Sequence, residues 1–383
     1  MSGFLALLVL LAPGAPAGAG AEGADPLERR VAGLLAGAPA FSGIAAVVPL
    51  YERTPEEGAE AEPAWADGAL SGRLLVEDGR TYLRVVNPRR DPVLLSAGIV
   101  FAGGAAEVAV ARDALIPGDF AALVPAAPLR SAPPCADLAP VGALPPAAIS
   151  ALLAGPAEFD ATVAAFRALR GEERYLPVLA NEAVRARHAR LAALVASMLR
   201  GRGGTVVGAV FLVRDRPVAA HLFASHELFA AALPDLLSAF AVEIRDRELA
   251  GQAGARRRPT SAVARQRALL WLREVARPGA AWSESCGFGS EMFFSDPTVP
   301  AIGHAVADGR QRLVHAGIHA WTPPVAPVVP PTPPEEPGEP VPGLIPHGRP
   351  TEEEQRRAEL VPDQVPPAPL GLALGRALLE PAR

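Results

Sequence analysis

The stretch GTVVGAVFLVRDRPVAAHLFASHELFAAALPDLLSAFAVE (Gly204–Glu243) decides the fold class. Thr205 to Val213 and Pro217 to Phe223 read as two strands joined at Arg214-Asp215-Arg216. Ser225 then offers a helix N-cap, and Glu227 places a favourable negative charge in the first turn. Leu228, Phe229, Leu233, Leu236, Leu237 and Phe240 recur at core spacing, so the helix runs to about Glu248. Pro234 lies inside it and should kink it or mark a joint. A hairpin feeding directly into a long amphipathic helix belongs to an α+β fold rather than to a regular βαβ repeat.

Upstream of this stretch, Asn181 can cap a helix that runs to about Leu199. Before it, residues 125–146 are proline-rich and read as an irregular connection. The region from Phe41 to Val124 is β-rich. Ile44–Leu50, Gly68–Glu77 and Tyr82–Val86 are strands, with Asp78-Gly79 as a hairpin turn pair. Asn87-Pro88 closes that strand; Val93–Phe101, Glu107–Arg112 and Leu115–Val124 continue the series, with a turn at Pro117-Gly118. Downstream, a helix over about Ser261–Val275 precedes strands between Cys286 and Trp321. The expected architecture is therefore a β-rich N-terminal half, a helical middle, and β-hairpins with packed helices in the C-terminal half.

The ends of the chain differ from this body. Phe4–Ala12 is an unbroken apolar run ended by Pro13-Gly14, followed by small-residue sites at Ala15-Pro16-Ala17 and Ala19-Gly20-Ala21. That is the layout of a secretory signal, although no basic residue precedes the run. Residues 1–21 are read as the signal, 22–40 as an extension with one short helix near Leu27–Leu35, and 41–322 as one domain. Residues 323–383 carry 17 of the 42 prolines; disorder with polyproline character is expected there. The chain is expected to be exported, to the periplasm or beyond, with no membrane span in the mature protein.

Composition excludes several functions. The chain contains no lysine, its net charge is −5, and its densest basic run is Arg256-Arg257-Arg258. No nucleic-acid footprint is expected from that distribution, and a Walker-type phosphate loop is impossible without its lysine. No cofactor is expected. Cys135 and Cys286 are the only cysteines and form a possible disulfide in an oxidising compartment.

Segment order carries a resemblance. VVPLYER (Val47–Arg53), GALSGRLLVEDGRTYLRVVNPRRDPVLLSAG (Gly68–Gly98), the opening stretch, GFGSEMFF (Gly287–Phe294) and LVHAGIHA (Leu313–Ala320) occur in that order. Together they resemble the ADP-ribosylglycohydrolase- and rhodanese-phosphatase-associated protein domain, an uncharacterised bacterial family, over roughly residues 41–321. The resemblance implies a link to ADP-ribose chemistry and points to His315. The chain departs from the family pattern after Gly98, where Ile99 replaces a glutamate. It departs again at Gly104-Ala105-Ala106-Glu107, and after Cys135, where Ala136-Asp137-Leu138 follows.

His315 and His319 are four apart; on a helix they would share a metal-ligand face, but on a strand they lie about 13 Å apart. A Cys286-His315-Asp296 grouping would need a thiolate with a base in reach. Glu107, Asp113, Glu284, Glu291 and Asp296 fall near strand ends, where functional groups often collect. The candidate ligand-binding residues are His315, Glu291, Glu107, Asn87 and Gly98, with no catalytic residue assigned. The function these features suggest is a noncatalytic exported domain binding a small molecule or an envelope protein. The alternative is a hydrolase of a nucleotide or ADP-ribose-like molecule. A third reading places the activity in the tail, as a scaffold for an envelope partner.

Overall fold

The computed structural model describes residues 25–52, 64–130, 137–199, 205–251, 260–276, 282–296 and 299–321. The signal, residues 22–24 of the extension, Cys135 and the proline-rich tail beyond Trp321 lie outside these residues. No described helix is long and apolar enough to cross a membrane.

A short helix α1 (Pro26–Ala32) opens the described chain, capped by the Asp25 carboxylate on the amide of Leu27. Strands β1 (Leu34–Ala36), β2 (Ala40–Ser42) and β3 (Ala45–Glu52) follow. Next come β4 (Ala64–Trp65), β5 (Ser71–Glu77), β6 (Arg80–Asn87), β7 (Val93–Leu95), β8 (Ile99–Gly103), β9 (Ala106–Val110) and β10 (Ala114–Ile116). Strands β11 (Phe120–Arg130) and β12 (Asp137–Ala143) complete the N-terminal half. The helical middle holds α2 (Pro146–Ala154), α3 (Pro156–Arg170), α4 (Tyr175–Ala180) and α5 (Glu182–Leu199). The rest is β13 (Val206–Val213), β14 (Arg216–Phe223), α6 (His226–Leu249), α7 (Ser261–Val275), β15 (Trp282–Glu284), β16 (Ser290–Asp296), β17 (Ala301–Ala307) and β18 (Leu313–Ala320). The α+β class expected from the sequence is the class observed.

Besides a three-stranded sheet in the order β10-β7-β4, two larger β structures meet in this fold. β11, β6, β5, β12, β8 and β9 close into a six-stranded barrel filled by residues such as Leu74, Leu83, Phe101, Val108 and Val124. The other is a sheet in the order β1-β3-β13-β14-β18-β17-β16-β15, with β2 paired to β3. Its inner strands β13 and β18 are buried almost throughout, because both faces are covered. One face packs Val48, Val210, Leu222 and Ile318 against α1 and α7. The other packs Phe211, Phe223 and Val306 in a core shared with α2, α6 and the barrel. Each fully buried Phe or Leu in these layers is worth roughly 2–3 kcal/mol of transfer free energy.

Two sequence expectations are corrected. Residues 125–130 and 137–146 are not an irregular connection. β11 runs to Arg130, pairing first with β6 and then with β9, and β12 pairs with β5 and then β8. Pro128 and Pro140 sit where the ladder breaks, with register shifts between Pro128 and Arg130 and between Pro140 and Gly142. A bulge tolerates a residue that cannot donate, and it also bends the strand around the barrel corner. Val93–Phe101 is likewise two strands, broken at Ser96-Ala97-Gly98. Gly98 has φ +85, and a β-carbon there would strike the Ile149 side chain of α2.

Other local readings agree with the coordinates. Asp78 and Gly79 both adopt positive φ, as a tight hairpin turn requires. Asn181 Oδ1 accepts the amide of Ala183 at the start of α5, and Ser225 Oγ accepts that of Leu228 at the start of α6. α6 continues through Pro234 to Leu249.

Candidate functional site

Strand register assembles a group of histidines that no single segment reveals. On β18, His315, Gly317 and His319 point to one face because they are two residues apart. Gly317 lies opposite His221 of β14 on one side and opposite His304 of β17 on the other. Directly opposed residues in an antiparallel ladder share a face. Four imidazoles therefore surround one glycine, on the sheet face that looks toward the barrel. Gly317 makes room for them: a β-carbon there would sit 3.3 Å from His315 Cε1 and 3.4 Å from His319 Nε2.

The barrel supplies the acid. Asp113 stands between β9 and β10, only 1% exposed. Its Oδ1 accepts the Ala97 amide at 2.7 Å, and its Oδ2 lies 2.7 Å from His315 Nδ1. His315 Nε2 in turn lies 3.2 Å from His221 Nδ1, and the two rings stack with centroids 5.5 Å apart. Burial alone would raise the Asp113 carboxyl; attraction to His315 in its protonated form, with the contacts of His304 and His315, outweighs it and holds the group well below the usual range. An ionised Asp113 makes His315 Nδ1 a donor. In the neutral ring Nε2 is then an acceptor, His221 Nδ1 carries the hydrogen, and His221 Nε2 is left with its lone pair. Burial, with repulsion from the protonated forms of His319 and His315, pushes His221 well below the ordinary histidine value, so its ring is neutral at pH 7.

His221 lines a small pocket with Trp65, Ser96, Ala97, Phe211 and Phe240. Its interior volume of about 10 Å³ is room for about one water. Of its lining residues, Ser96, His221 and Trp65 carry polar side-chain atoms, and the Trp65 indole N–H is spent on Asp235. His319 closes the far side of the group; burial pushes it down to about 3, and its Nδ1 is buried without a hydrogen-bond partner.

A second branch leaves Asp113 on its other side. His304 Nδ1 is 3.5 Å from Asp113 Oδ2, and His304 Nε2 is 3.6 Å from Glu291 Oε2. Burial opposes a charged ring, yet the facing carboxylates of Asp113 and Glu291 raise His304 to about 9. Glu291 Oε1 meets Arg112 Nη1 at 3.1 Å, and Arg112 is half-exposed. Among the described residues, no three histidine, cysteine or acidic side chains converge as a metal site would require.

The expected site residues divide between this cluster and elsewhere. His315 and Glu291 belong to it. His315 is not at a sheet edge, since β18 lies between β14 and β17. Glu107 is also buried, but it accepts the amides of Tyr175 and Leu176 at the start of α4 and pairs with Arg174, away from the histidines. Asn87 donates to the carbonyls of Asp91, Ile116 and Pro117 and accepts from Arg89, so its hydrogen-bonding capacity is spent on the backbone. Gly98 shapes the loop that delivers the Ala97 amide to Asp113. Cys286 is a free thiol pushed up to about 11 by burial and by the Glu291 charge, the reverse of what a nucleophile needs. The carboxylate partner of His315 is Asp113 rather than Asp296.

Sequence reading passed over His221 and His304. The signal available was a lone histidine in each of two apolar strands, AAHLF and AIGHAVA, but the register joining them to Gly317 follows only from the fold.

All four histidines come from the C-terminal half. Residues 171–319 match the ARPP-1 domain. This is the ARG and Rhodanese-Phosphatase-superfamily-associated Protein domain, the family suggested by segment order. The ARPP-1 match spans α4 to β18 and so contains every imidazole of the cluster, whereas Asp113 and the barrel lie outside it. No curated protein and no solved structure matches the chain.

Proposed function

We propose that the protein is an acid–base catalyst of the hydrolase class, acting on a small molecule at the mouth of the His221 pocket. The observation that carries this reading is the hydrogen-bonded series Asp113–His315–His221, ending at a pocket the size of one water. Water held there gives a proton to His221 Nε2 as its oxygen attacks the substrate. His221 passes its Nδ1 hydrogen to His315 Nε2, so the positive charge settles beside ionised Asp113 instead of on the desolvated outer ring. The bond to the leaving group breaks, and the proton returns along the same path to that group. A histidine pushed well below its ordinary value can therefore act as a base, because a deeper ring bears the charge.

A binding domain without catalysis would have no use for a directed proton path, and an apolar interior would be cheaper to bury. The substrate class rests on the family's association with ADP-ribosylglycohydrolases. The apolar run Phe4–Ala12 supports export of the chain, and this favours a substrate found outside the cytoplasm.

The test is turnover of ADP-ribose, NAD, common nucleotides and simple sugars by the full chain and by His221→Gln. Product formation should fall by about a hundredfold or more in the variant, the usual contribution of a positioned base. Turnover left intact in His221→Gln, or a substrate that binds without ever being converted, would overturn the proposal. The latter result would favour the noncatalytic reading.

A further inference from the structure

The second branch of the cluster ends near the surface, whereas the first ends in the pocket. We propose that His304 and Glu291 are positioning residues that form a proton outlet, connecting the buried Asp113–His315–His221 relay with solvent beside Arg112. The inference rests on the relay proposed above and adds a route by which its protons exchange with solvent.

The geometry supplies each link. Asp113 Oδ2 is shared, 2.7 Å from His315 Nδ1 and 3.5 Å from His304 Nδ1. The other nitrogen of His304 faces Glu291 Oε2 at 3.6 Å, and that oxygen is buried with no hydrogen-bond partner. Glu291 Oε1 reaches Arg112, whose side chain is 53% exposed. Asp113 faces His304 from the barrel side and Glu291 from β16, with Arg112 behind Glu291 and His315 on the neighbouring strand β18. The Cys286 thiol lies beside Glu291 and stays protonated.

His304 can load and unload a proton without turning its ring. When Nδ1 carries hydrogen it faces Asp113 Oδ2. When Nδ1 is bare, the Asp113 amide donates to it at 3.2 Å. Both protonation states thus have a partner already in place, an arrangement that a purely structural ion pair does not need. The proton count balances along the path. Transfer starts from the neutral His304 ring with hydrogen on Nε2, which exchanges with the charged form prevailing below about 9, and the reverse transfer resets the ring. His315 gives its Nδ1 hydrogen to Asp113 Oδ2, and that proton passes to the bare His304 Nδ1. His304 then releases its Nε2 hydrogen to Glu291 Oε2, and Glu291 releases it to water beside Arg112. The 3.5 and 3.6 Å contacts must shorten by a few tenths of an ångström for direct transfer.

The experiment needs no substrate, so its failure is distinct from failure of the catalytic reading. In full-length protein labelled with nitrogen-15 histidine, solvent exchange of each imidazole N–H is measured at neutral pH for wild type and Glu291→Gln. Exchange at His304 and His315 should slow by roughly tenfold, the effect of about 1.4 kcal/mol on a barrier. His221 exchange should be unchanged because that ring opens to the pocket. His304→Gln interrupts the path at a second point and should slow His315 equally, which covers loss of fold in the first variant. Exchange at His315 that is unchanged or faster in a folded variant would overturn the outlet.

Discussion

Asp113→Ala is expected to lower the melting midpoint by roughly 10 °C, the consequence of about 3–5 kcal/mol lost when one member of a buried charged network is removed. The size follows from what the substitution strands. Asp113 Oδ1 satisfies the buried Ala97 amide, and Oδ2 holds His315 while facing His304. Deleting the carboxylate leaves a backbone donor and two imidazoles without their acceptor in the layer between barrel and sheet. Asp113→Asn keeps an oxygen for the Ala97 amide and replaces the charged acceptor facing His315 by an uncharged amide donor, so its loss should be smaller. Thermal unfolding of the two variants beside wild type measures both effects. A loss under about 1 kcal/mol for the alanine variant, the value of an ordinary single hydrogen bond, would mean that the barrel and the sheet are held without this group.

The second large effect is in the pH dependence of stability. His304 has its folded value raised to about 9, above the unfolded value of about 6.5. Its contribution is therefore complete below about 6.5 and is lost as pH rises toward 9. His319 and His221 have the opposite sign. Their folded values are lowered, His319 to about 3, so below about 6.5 the unfolded chain binds protons that the folded chain refuses. Together they should steepen the acid limb by about 2.7 kcal/mol per pH unit, two protons at about 1.4 each. Asp113 is lowered, so its own contribution persists above about 3.9 and fades only in stronger acid.

Stability from this cluster should thus peak near pH 6.5. Asp235 and Asp246 are raised by burial and act in the reverse sense in acid. Difference curves isolate the histidines from these groups. His319→Phe should remove about one proton from the acid limb, and His304→Gln should flatten the alkaline limb between pH 6.5 and 9. Urea unfolding at intervals of pH reads both. An acid limb with the same slope in His319→Phe would show that His319 is not held neutral by its burial.

Much of the fold is legible in the sequence because it is written in local signals. Asp78-Gly79, the Arg214–Arg216 turn, the caps at Asn181 and Ser225, and the periodicity of α6 all depend on neighbours within a few residues. The proline-bearing strands β11 and β12 were hidden for the opposite reason. Proline argues against a strand unless a bulge accepts it, and the bulges exist only because the barrel must turn there. The site was legible only in part. His315 and Glu291 emerged from strand-end position and family resemblance, and Asp113 was visible as one acid among five. Their convergence depends on register across β14, β18 and β17 and on a barrel loop almost two hundred residues away in sequence. Gly317, which leaves room for the four rings, reads in the sequence as a spacer between two histidines.

The central claim is a particular placement of hydrogens, and nitrogen-15 chemical shifts of the histidine side chains test it most directly. At pH 7 His221 should show a protonated Nδ1 and a bare Nε2, and His315 a protonated Nδ1 with a strongly deshielded proton directed at Asp113. That pattern, abolished at His315 by Asp113→Ala, is the one the relay requires. A protonated Nε2 on His221, with Nδ1 bare, would contradict the account, because the pocket would then face a donor where catalysis needs a base.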